Sequence, residues 1–436
     1  MDKRLKATLS LTLYSLLTRA LQPWVRRKLA RRGRAEPGYL HAIEERFGDY
    51  TQPQGKGYLW VHAVSLGETR AAAVLLKAVR AQWPDLPVLL THGTATGREE
   101  GQRLLQPGDC QVWQPWDTPQ AVAKFLAHFQ PRVGLLMETE VWPNWVAACR
   151  RAGVPLILAN ARLSEKSLAQ ARRLAWLSRP SYAGLSAVWA QTEPDAQRLR
   201  SLGASVSAVM GNIKFDATPD AGQLLAGRTA RAALDRPVAL LASAREGEEA
   251  LWSKAVWAHA KAQTPMQWLV VPRHPQRFDE VAKLLALQGW QVVRRSQQAD
   301  ASWPPVSDPA VPTVWLGDTL GEMPYYFGLA DVALLGGSFE KLGGQNLIEA
   351  AACACPVIMG PHTFNFLEAA EAALQAGAAQ RVEDMGQAVA TAWQWVNDAA
   401  GLAQRAAASE LFANSHRGAA QRSVQALRAW LDLKAP

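Results

Sequence analysis

The chain has 436 residues, too many for one ordinary core; 49% are hydrophobic and 19% charged, which excludes wholesale disorder and a collagen-like or fibrous chain. Its four cysteines, Cys110, Cys149, Cys353 and Cys355, form no Cys-x-x-Cys pair and no zinc-finger spacing, so a disulfide framework is excluded and a reducing compartment is expected. The formal net charge of +9 resides in residues 1–34, which hold ten basic side chains and one acid; the rest of the chain carries 37 of each sign, which argues against nucleic acid as a partner.

In chain order, the basic arm comes first. Leu5, Leu9, Leu13, Leu16, Leu17, Leu21 and Trp24 recur at spacings of three and four and predict the apolar stripe of a helix. Thr8, Thr12, Ser15, Arg19, Gln22 and Arg26 form a polar stripe at the same period. Arg19 lies inside the segment, where a membrane span is penalised by about 2.5–3.5 kcal/mol. The pattern favours a helix in the bilayer interface, followed by a basic clamp on anionic lipid worth about 1 kcal/mol per charge. The alternatives are an amphipathic helix packed on the protein's own core and a single tilted span. In either membrane case the positive charge puts the body in the cytoplasm. A signal peptide fits worse, because a small-residue cleavage site is missing. No apolar run of about 20 residues appears anywhere, which excludes a multi-spanning protein.

From about residue 58, short apolar runs alternate with Ala/Leu/Arg-rich helical stretches. Strands are predicted from Tyr58, Pro87, Arg132, Val154, Ala187 and near Val206, with helices such as 69–82 and 119–129 between them. The second half repeats the plan, with strands near Val238, Gln267, Gln291, Thr313, Val332 and Pro356 and a helix over 247–263. Such alternation predicts an α/β fold of two doubly wound, Rossmann-like domains facing a cleft, with ligands at the carboxyl ends of the strands. The expected division is an anchoring segment over 1–34, an acceptor-binding domain over 35–217, a linker over 218–236 and a nucleotide-binding domain over 237–436.

Four loops carry the chemistry. In His62-Ala63-Val64-Ser65-Leu66-Gly67-Glu68, Gly67 is expected to permit a tight turn. Glu68 is expected at a helix N-terminus, where the dipole lowers its pKa and keeps it ionised as a general base; the alternative is a glutamate merely favoured in a first turn. Glu138 and Glu140, at i and i+2 after the strand ending at Leu136, suit sugar hydroxyls, a metal or developing positive charge, unless they simply mark a solvated strand end. Arg273 and His274, held between Pro272 and Pro275, suit a phosphate clamp or are solvated loop charges. Gly336-Gly337-Ser338 and the segment Gly343 to Glu349 let backbone N–H groups approach an anion and place Glu349 for ribose hydroxyls, while Asn346 and Glu349 also have capping-box spacing. The segment 317–323 adds a loop to the same rim.

Taken in order, HAVSLGE at 62–68, METEVWPN at 137–144, NARLS at 160–164, GNIKFD at 211–216, PRHPQRF at 272–278, GDTLGEM at 317–323 and GPHTFNF at 360–366 resemble 3-deoxy-D-manno-octulosonic acid (Kdo) transferases. The resemblance implies a GT-B glycosyltransferase that moves Kdo from CMP-Kdo to the lipid A precursor (lipid IVA) at the cytoplasmic face of the Gram-negative inner membrane, with inversion, no metal and no cofactor. It implies Glu68 as base, with Glu138 and Lys214 stabilising the transition state. It assigns Pro272, Arg273, His274, Leu320, Gly321, Glu322, Gly337, Ser338, Asn346, Leu347, Ile348 and Glu349 to the CMP side, and Ser65, Gly67, Glu140 and Arg162 to the acceptor side. The chain departs from the family pattern at Gln345 and Arg245, where histidines are usual. Competing readings are another nucleotide-sugar enzyme on the same plan, such as an epimerase, and a non-catalytic membrane-docked scaffold.

Overall fold

The computed structural model describes residues 3–259, 265–298 and 312–431, with side chains from residue 8 onward. The chain divides into two units, Met1–Asp216 with Arg417–Pro436, and Ala217–His416.

Short, largely apolar runs form the strands; those inside each sheet are buried on both faces, as parallel sheets require, while the edge strands Val206–Val209 and Gln291–Arg294 are partly exposed. In the first unit the strands are β1 (Leu59–His62), β2 (Val88–His92), β3 (Cys110–Trp113), β4 (Val133–Met137), β5 (Leu156–Ala161), β6 (Ala187–Ala190) and β7 (Val206–Val209). They pair in the order β3-β2-β1-β4-β5-β6-β7. Every ladder is parallel, and Leu59 stands opposite both Val88 and Val133. Strand order reverses between β1 and β4, so the loops leaving those two strands diverge to opposite faces and open a crevice at their carboxyl ends. Strand β1 shows both faces at work: Trp60 packs with Phe125, Phe129 and Trp145, while Leu59 and Val61 join Leu75, Val79 and Val424.

The second unit holds β8 (Val238–Ala244), β9 (Gln267–Pro272), β10 (Gln291–Arg294), β11 (Thr313–Leu316), β12 (Val332–Leu335), β13 (Val357–Met359) and β14 (Ala379–Arg381), ordered β10-β11-β9-β8-β12-β13-β14. Its ladders are also parallel, and its reversal falls between β8 and β12. Its core is rich in tryptophan: Trp252, Trp268, Trp290 and Trp393 cluster on one face of the sheet. Trp290 Nε1 donates to Ser253 Oγ at 2.7 Å, which removes the cost of burying an indole N–H. Strands β3 and β14 are not among the strands expected, because Gln111 interrupts the one and Gln380 and Arg381 the other in runs of only four and three residues.

The observed boundaries differ from those expected. Residues 221–232 are not a linker but a helix, Ala221–Ala232, N-capped by Asp220 and packed on the helix Met323–Leu329 of the second unit. The helix expected over 247–263 runs Glu248–His259, and residues 260–263 lie outside the described residues. The final helix, Ala419–Leu431, belongs to the first unit. It packs on the helix Leu66–Gln82, the Asp216 carboxylate accepts the N–H groups of Gly418 and Ala420, and Arg422 donates twice to the Met210 carbonyl at 2.9 and 2.7 Å. An amphipathic pattern in the last 18 residues shows that a helix must bury a face, not which sheet receives it.

At the N-terminus, α1 (Lys3–Ala20) and α2 (Gln22–Ala35) carry the expected apolar stripe on the outside of the protein. Leu13 is 62% exposed and Trp24 58%, with Leu9, Leu16, Leu17 and Leu21 exposed beside them, whereas Ser15 and Thr18 are only 8% and 5% exposed. The apolar stripe is therefore not packed on the protein's own core; the side chain of Leu5 lies outside the described residues. No described helix is long and apolar enough to cross a membrane.

Candidate active site

The crevice between β1 and β4 collects most of the residues singled out in the first half. Ser65 N-caps the helix Leu66–Gln82, accepting the Glu68 N–H, and its hydroxyl donates to Glu68 Oε1 at 3.1 Å. Glu68 Oε2 accepts the Val64 N–H at 2.8 Å. Ser65 and Glu68 thus resemble a capping box, with the glutamate reaching the N–H one residue before the cap, and both oxygens of the carboxylate are oriented by the chain that carries it. Its pKa nevertheless moves opposite to the dipole expectation. Burial pushes it up, the nearby charges of Glu138 and Glu140 add to that, and the two hydrogen bonds only partly oppose them, leaving Glu68 at about 7. A carboxylate that titrates near neutrality is better matched to proton abstraction than a fully ionised one, because it holds the proton more strongly once taken. Gly67 is not required by the turn: its φ is ordinary, and a Cβ there would meet open space in front of the site.

Glu138 follows β4 with φ +59°, a left-handed conformation that costs a non-glycine residue energy and turns its carboxylate inward. It is 2% exposed. Lys214 Nζ lies 2.7 Å from Oε1 and Arg162 Nε 2.7 Å from Oε2. Burial raises the Glu138 pKa, but the two cations and their hydrogen bonds outweigh it, and the group ends below the ordinary carboxylate range. Arg162 is thus spent on Glu138 rather than free to receive a ligand alone. Glu140 is half-buried, accepts the Trp142 indole N–H at 2.8 Å, and is pushed up by burial.

Asn160 explains how Lys214 reaches this place. At φ +51° near the end of β5, its Oδ1 accepts the Ile213 N–H at 3.0 Å, and Asn212 Oδ1 accepts the Lys214 N–H at 3.0 Å. Two asparagines thereby pin the turn Ile213–Asp216 to the sheet. Both lie in sequence motifs that carry a resemblance but no obvious chemistry, so spacing alone assigns them no role.

In the second unit the corresponding crevice lies between β8 and β12. Ser243 (φ +55°) bends β8, and Gly336 comes so close that a Cβ would stand 2.3 Å from the Ser243 carbonyl oxygen. Glu248, fully buried, accepts the N–H groups of Gly337 (2.6 Å), Arg245 (2.9 Å) and Phe339 (3.1 Å). The Gly337 amide is therefore spent within the protein, contrary to the expectation that it meets an anion. Ser338 is likewise committed: its fully buried hydroxyl donates to the Leu335 carbonyl at 2.5 Å and accepts the Gly360 N–H at 2.8 Å. Glu248 is the organising residue that spacing misses, because a glutamate opening a helix after Gly247 reads as an ordinary first-turn acid.

Three basic side chains converge on this turn. Arg273 Nε donates to Gln345 Oε1 at 3.1 Å, and Gln345 Nε2 and Arg245 Cγ lie 3.1 and 3.5 Å from where a Gly337 Cβ would stand. The two departures from the family pattern, Arg245 and Gln345, thus meet at one glycine. Burial, then the charges of Arg245 and Arg273, push the His274 imidazole down, so it is neutral near pH 7 and the arginines supply the positive charge. Pro272 is buried at the end of β9, and Leu347 and Ile348 are core side chains of the helix Leu347–Ala352. Asn346 caps that helix by accepting the Ile348 N–H at 3.1 Å. Glu349 is half-buried and takes no part in the capping box its spacing predicted. Leu320 and Gly321 form an exposed turn, with Gly321 at φ +82°. Glu322 is tied inward, to the Thr319 hydroxyl, to Tyr326 OH at 3.2 Å and to Arg295 at 2.9 Å. Among the described residues no three or more His, Cys, Asp or Glu side chains gather as a metal site.

The family described as 3-deoxy-D-manno-octulosonic-acid transferase (kdotransferase) matches residues 41–217. The 3-deoxy-D-manno-octulosonic acid transferase of Bordetella pertussis is 45% identical over 430 residues, covering 96% of this chain and 99% of that protein. The corresponding transferase of Haemophilus influenzae is 33% identical over 342 residues, covering 76% and 78%. Among solved structures, the S. aureus MnaA–UDP complex superposes with a TM-score of 0.55 over 87% of this chain and 99% of that one; at 17% identity the likeness shows the GT-B fold alone. With the two crevices built from the residues these matches span, the chain belongs to the Kdo transferase family and is a glycosyltransferase.

Proposed function

We propose that this enzyme transfers Kdo from CMP-Kdo to a sugar hydroxyl of the lipid A precursor lipid IVA in one inverting displacement, with Glu68 as general base. The acceptor oxygen attacks the anomeric carbon as the bond from that carbon to the CMP phosphate oxygen breaks. The acceptor proton passes to Glu68, and CMP leaves as a phosphate monoester. Attack on the face opposite the leaving group inverts the anomeric centre. Lys214, paired with Glu138, keeps positive charge beside the acceptor, and Ser65, Gly67, Glu140 and Arg162 border the space it would fill. Arg273 and Arg245 offset the charge that develops on the phosphate; Glu349 and the Leu320–Gly321 turn receive the nucleoside. The reaction so written needs no metal and no cofactor. The observation that carries the proposal is the position and basicity of Glu68, at the strand-order reversal of the first unit with a pKa near 7. Incubation with CMP-Kdo and lipid IVA, followed by mass analysis of the lipid, is expected to show added Kdo; no product from CMP-Kdo, with stabilisation by UDP-sugars instead, would point to a different donor.

Gln345 anchors the donor half of this reading. A hydrogen bond to a charged group is worth about 1.5–3 kcal/mol. Gln345→Leu releases Arg273 Nε, so the dissociation constant for CMP, read by titration calorimetry, is expected to rise about tenfold or more.

The exposed leucine stripe, together with the ten basic residues of the first 34, supports the cytoplasmic face of an anionic inner membrane as the place of action. Each leucine moved from lipid to water forfeits up to about 1.5–3 kcal/mol. The Leu13→Asp/Leu17→Asp variant is expected to lose more than nine-tenths of its sedimentation with phosphatidylglycerol-rich vesicles, while its melting temperature stays within about 2 °C, because neither side chain is buried in the protein.

A further inference from the structure

Helix α1 is fastened to the first unit by the edge that a surface helix ordinarily gives to water. Besides packing on the helix Ala175–Ala183, α1 is held by a set of polar contacts. The Tyr14 hydroxyl donates to the Asp117 carboxylate. Ser15 Oγ donates to Asn144 Oδ1 at 2.8 Å, and the Trp116 indole N–H donates to the Thr18 carbonyl at 3.0 Å. Arg19 Nε donates to Gln120 Oε1 at 2.9 Å. Asp117 and Asn144, each 2% exposed, are in turn bound to one another: Asn144 Nδ2 donates to the Asp117 carbonyl at 2.8 Å, and the Asp117 carboxylate accepts the N–H groups of Asn144 at 3.2 Å and Trp145 at 3.0 Å. Asp117 thus caps the helix Pro143–Ala152 from outside it, and the same residue holds α1.

That helix begins immediately after the loop of Glu138 and Glu140, whose Trp142 donates to Glu140. The chain of contacts therefore runs from the lipid-facing helix through Tyr14 and Ser15, Asp117 and Asn144, to the loop that bears two of the site's carboxylates. Apolar packing tolerates sliding and rotation, whereas a buried, fully paired polar network holds only in one register, since each broken contact strands a polar group away from water. An apolar attachment was in any case closed to α1, because one stripe cannot face both the protein core and the bilayer.

We propose that Asp117 and Asn144, gripped by Tyr14 and Ser15, are positioning residues that fix the Glu138–Glu140 loop at a set height and tilt over the lipid surface. The inference rests on the reading that α1 lies on an anionic bilayer and that the acceptor is a lipid. A lipid-borne hydroxyl sits at a defined depth, so a rigid link delivers it in reacting geometry where a flexible tether would only raise its local concentration.

The test uses the full chain and its Tyr14→Phe/Ser15→Ala variant, which keeps every exposed leucine and leaves the Asp117 cap on Asn144 and Trp145. Transfer is measured with lipid IVA presented in phosphatidylglycerol-containing vesicles and, separately, in neutral detergent micelles, alongside vesicle sedimentation. Sedimentation is expected to stay within twofold, the vesicle rate to fall about tenfold, and the micelle rate to stay within twofold. An unchanged ratio of vesicle to micelle rates, or equal loss in both, overturns the proposal. Absence of transfer by the unmodified chain in either presentation would instead defeat the functional reading beneath it. As a measurement independent of any variant, amide hydrogen exchange of the unmodified chain is expected to slow over residues 138–146 as well as over α1 when vesicles are added; slowing confined to α1 also overturns the proposal.

Discussion

Glu68→Gln is expected to lower the transfer rate at pH 7.5 by about 10³-fold, within the range contributed by a positioned general base, while the dissociation constant for CMP stays within twofold. Glutamine keeps one oxygen for the Val64 N–H and turns its amide N–H toward the Ser65 hydroxyl, which can accept it, so the helix start survives and only the base is lost. The sign of the accompanying stability change separates chemistry from folding. The Glu68 pKa is raised in the folded chain, so folding favours its protonated form; that preference contributes fully below the unfolded value near 4.5 and is lost as pH rises through about 7. A neutral glutamine escapes that loss, so the variant is expected to melt no lower than the unmodified protein at pH 8. In the unmodified enzyme, kcat/KM for the acceptor is expected to climb as pH rises through about 7, the point at which the carboxylate frees itself to accept a proton. A rate that is flat between pH 5.5 and 8.5, or a Glu68→Gln enzyme of ordinary turnover, would remove Glu68 from the role of base.

The same residue marks where sequence reading stops. Its place at a helix N-terminus is legible because Ser65 and Glu68 stand three apart after an apolar run, and the dipole argument built on that place is locally sound. It gives the wrong direction because the larger effects are tertiary: burial in the crevice, and charges on Glu138 and Glu140, some 70 residues further along the chain. The strands of both sheets are legible for the opposite reason, since a parallel strand buried on two faces is apolar along its length and announces itself. Strands β3 (Cys110–Trp113) and β14 (Ala379–Arg381) lack that signal because polar residues interrupt runs of only four and three residues. Stripes on α1 and on Ala419–Leu431 are visible as periodicity, but what covers each stripe is decided by distant segments. That is why the leucines of α1 face outward and the last helix joins the first unit rather than the second. Ser338 and Gly337 fail as anion contacts for a similar reason: a glycine-rich loop needs internal partners to hold its shape, and here Glu248 and Gly360 take the groups a ligand would have used.

Lys214→Met is expected to reduce transfer by about 10²-fold, comparable to removing one preorganised charge from an active site, with CMP binding unchanged because Lys214 and the nucleotide-side residues lie in different units. It also removes one partner of a buried ion pair and leaves the Glu138 carboxylate with Arg162 alone, so a destabilisation of about 3 kcal/mol is expected at neutral pH. The pH dependence follows from the lowered Glu138 pKa. Its stabilising contribution is present above the unfolded value near 4.5 and is lost as pH falls through the lower folded value, so the melting-temperature gap between variant and unmodified chain should be wide at pH 7.5 and should narrow progressively as pH falls below 4.5. The double variant Glu138→Gln/Lys214→Met removes the stranded charge and should recover most of the lost stability. Transfer should not recover with it, because the positive charge beside the acceptor and the carboxylate that holds it are both gone. A double variant that regains stability and turnover together would assign the pair to folding alone, and would shift the burden of charge stabilisation onto the arginines beside Gly337.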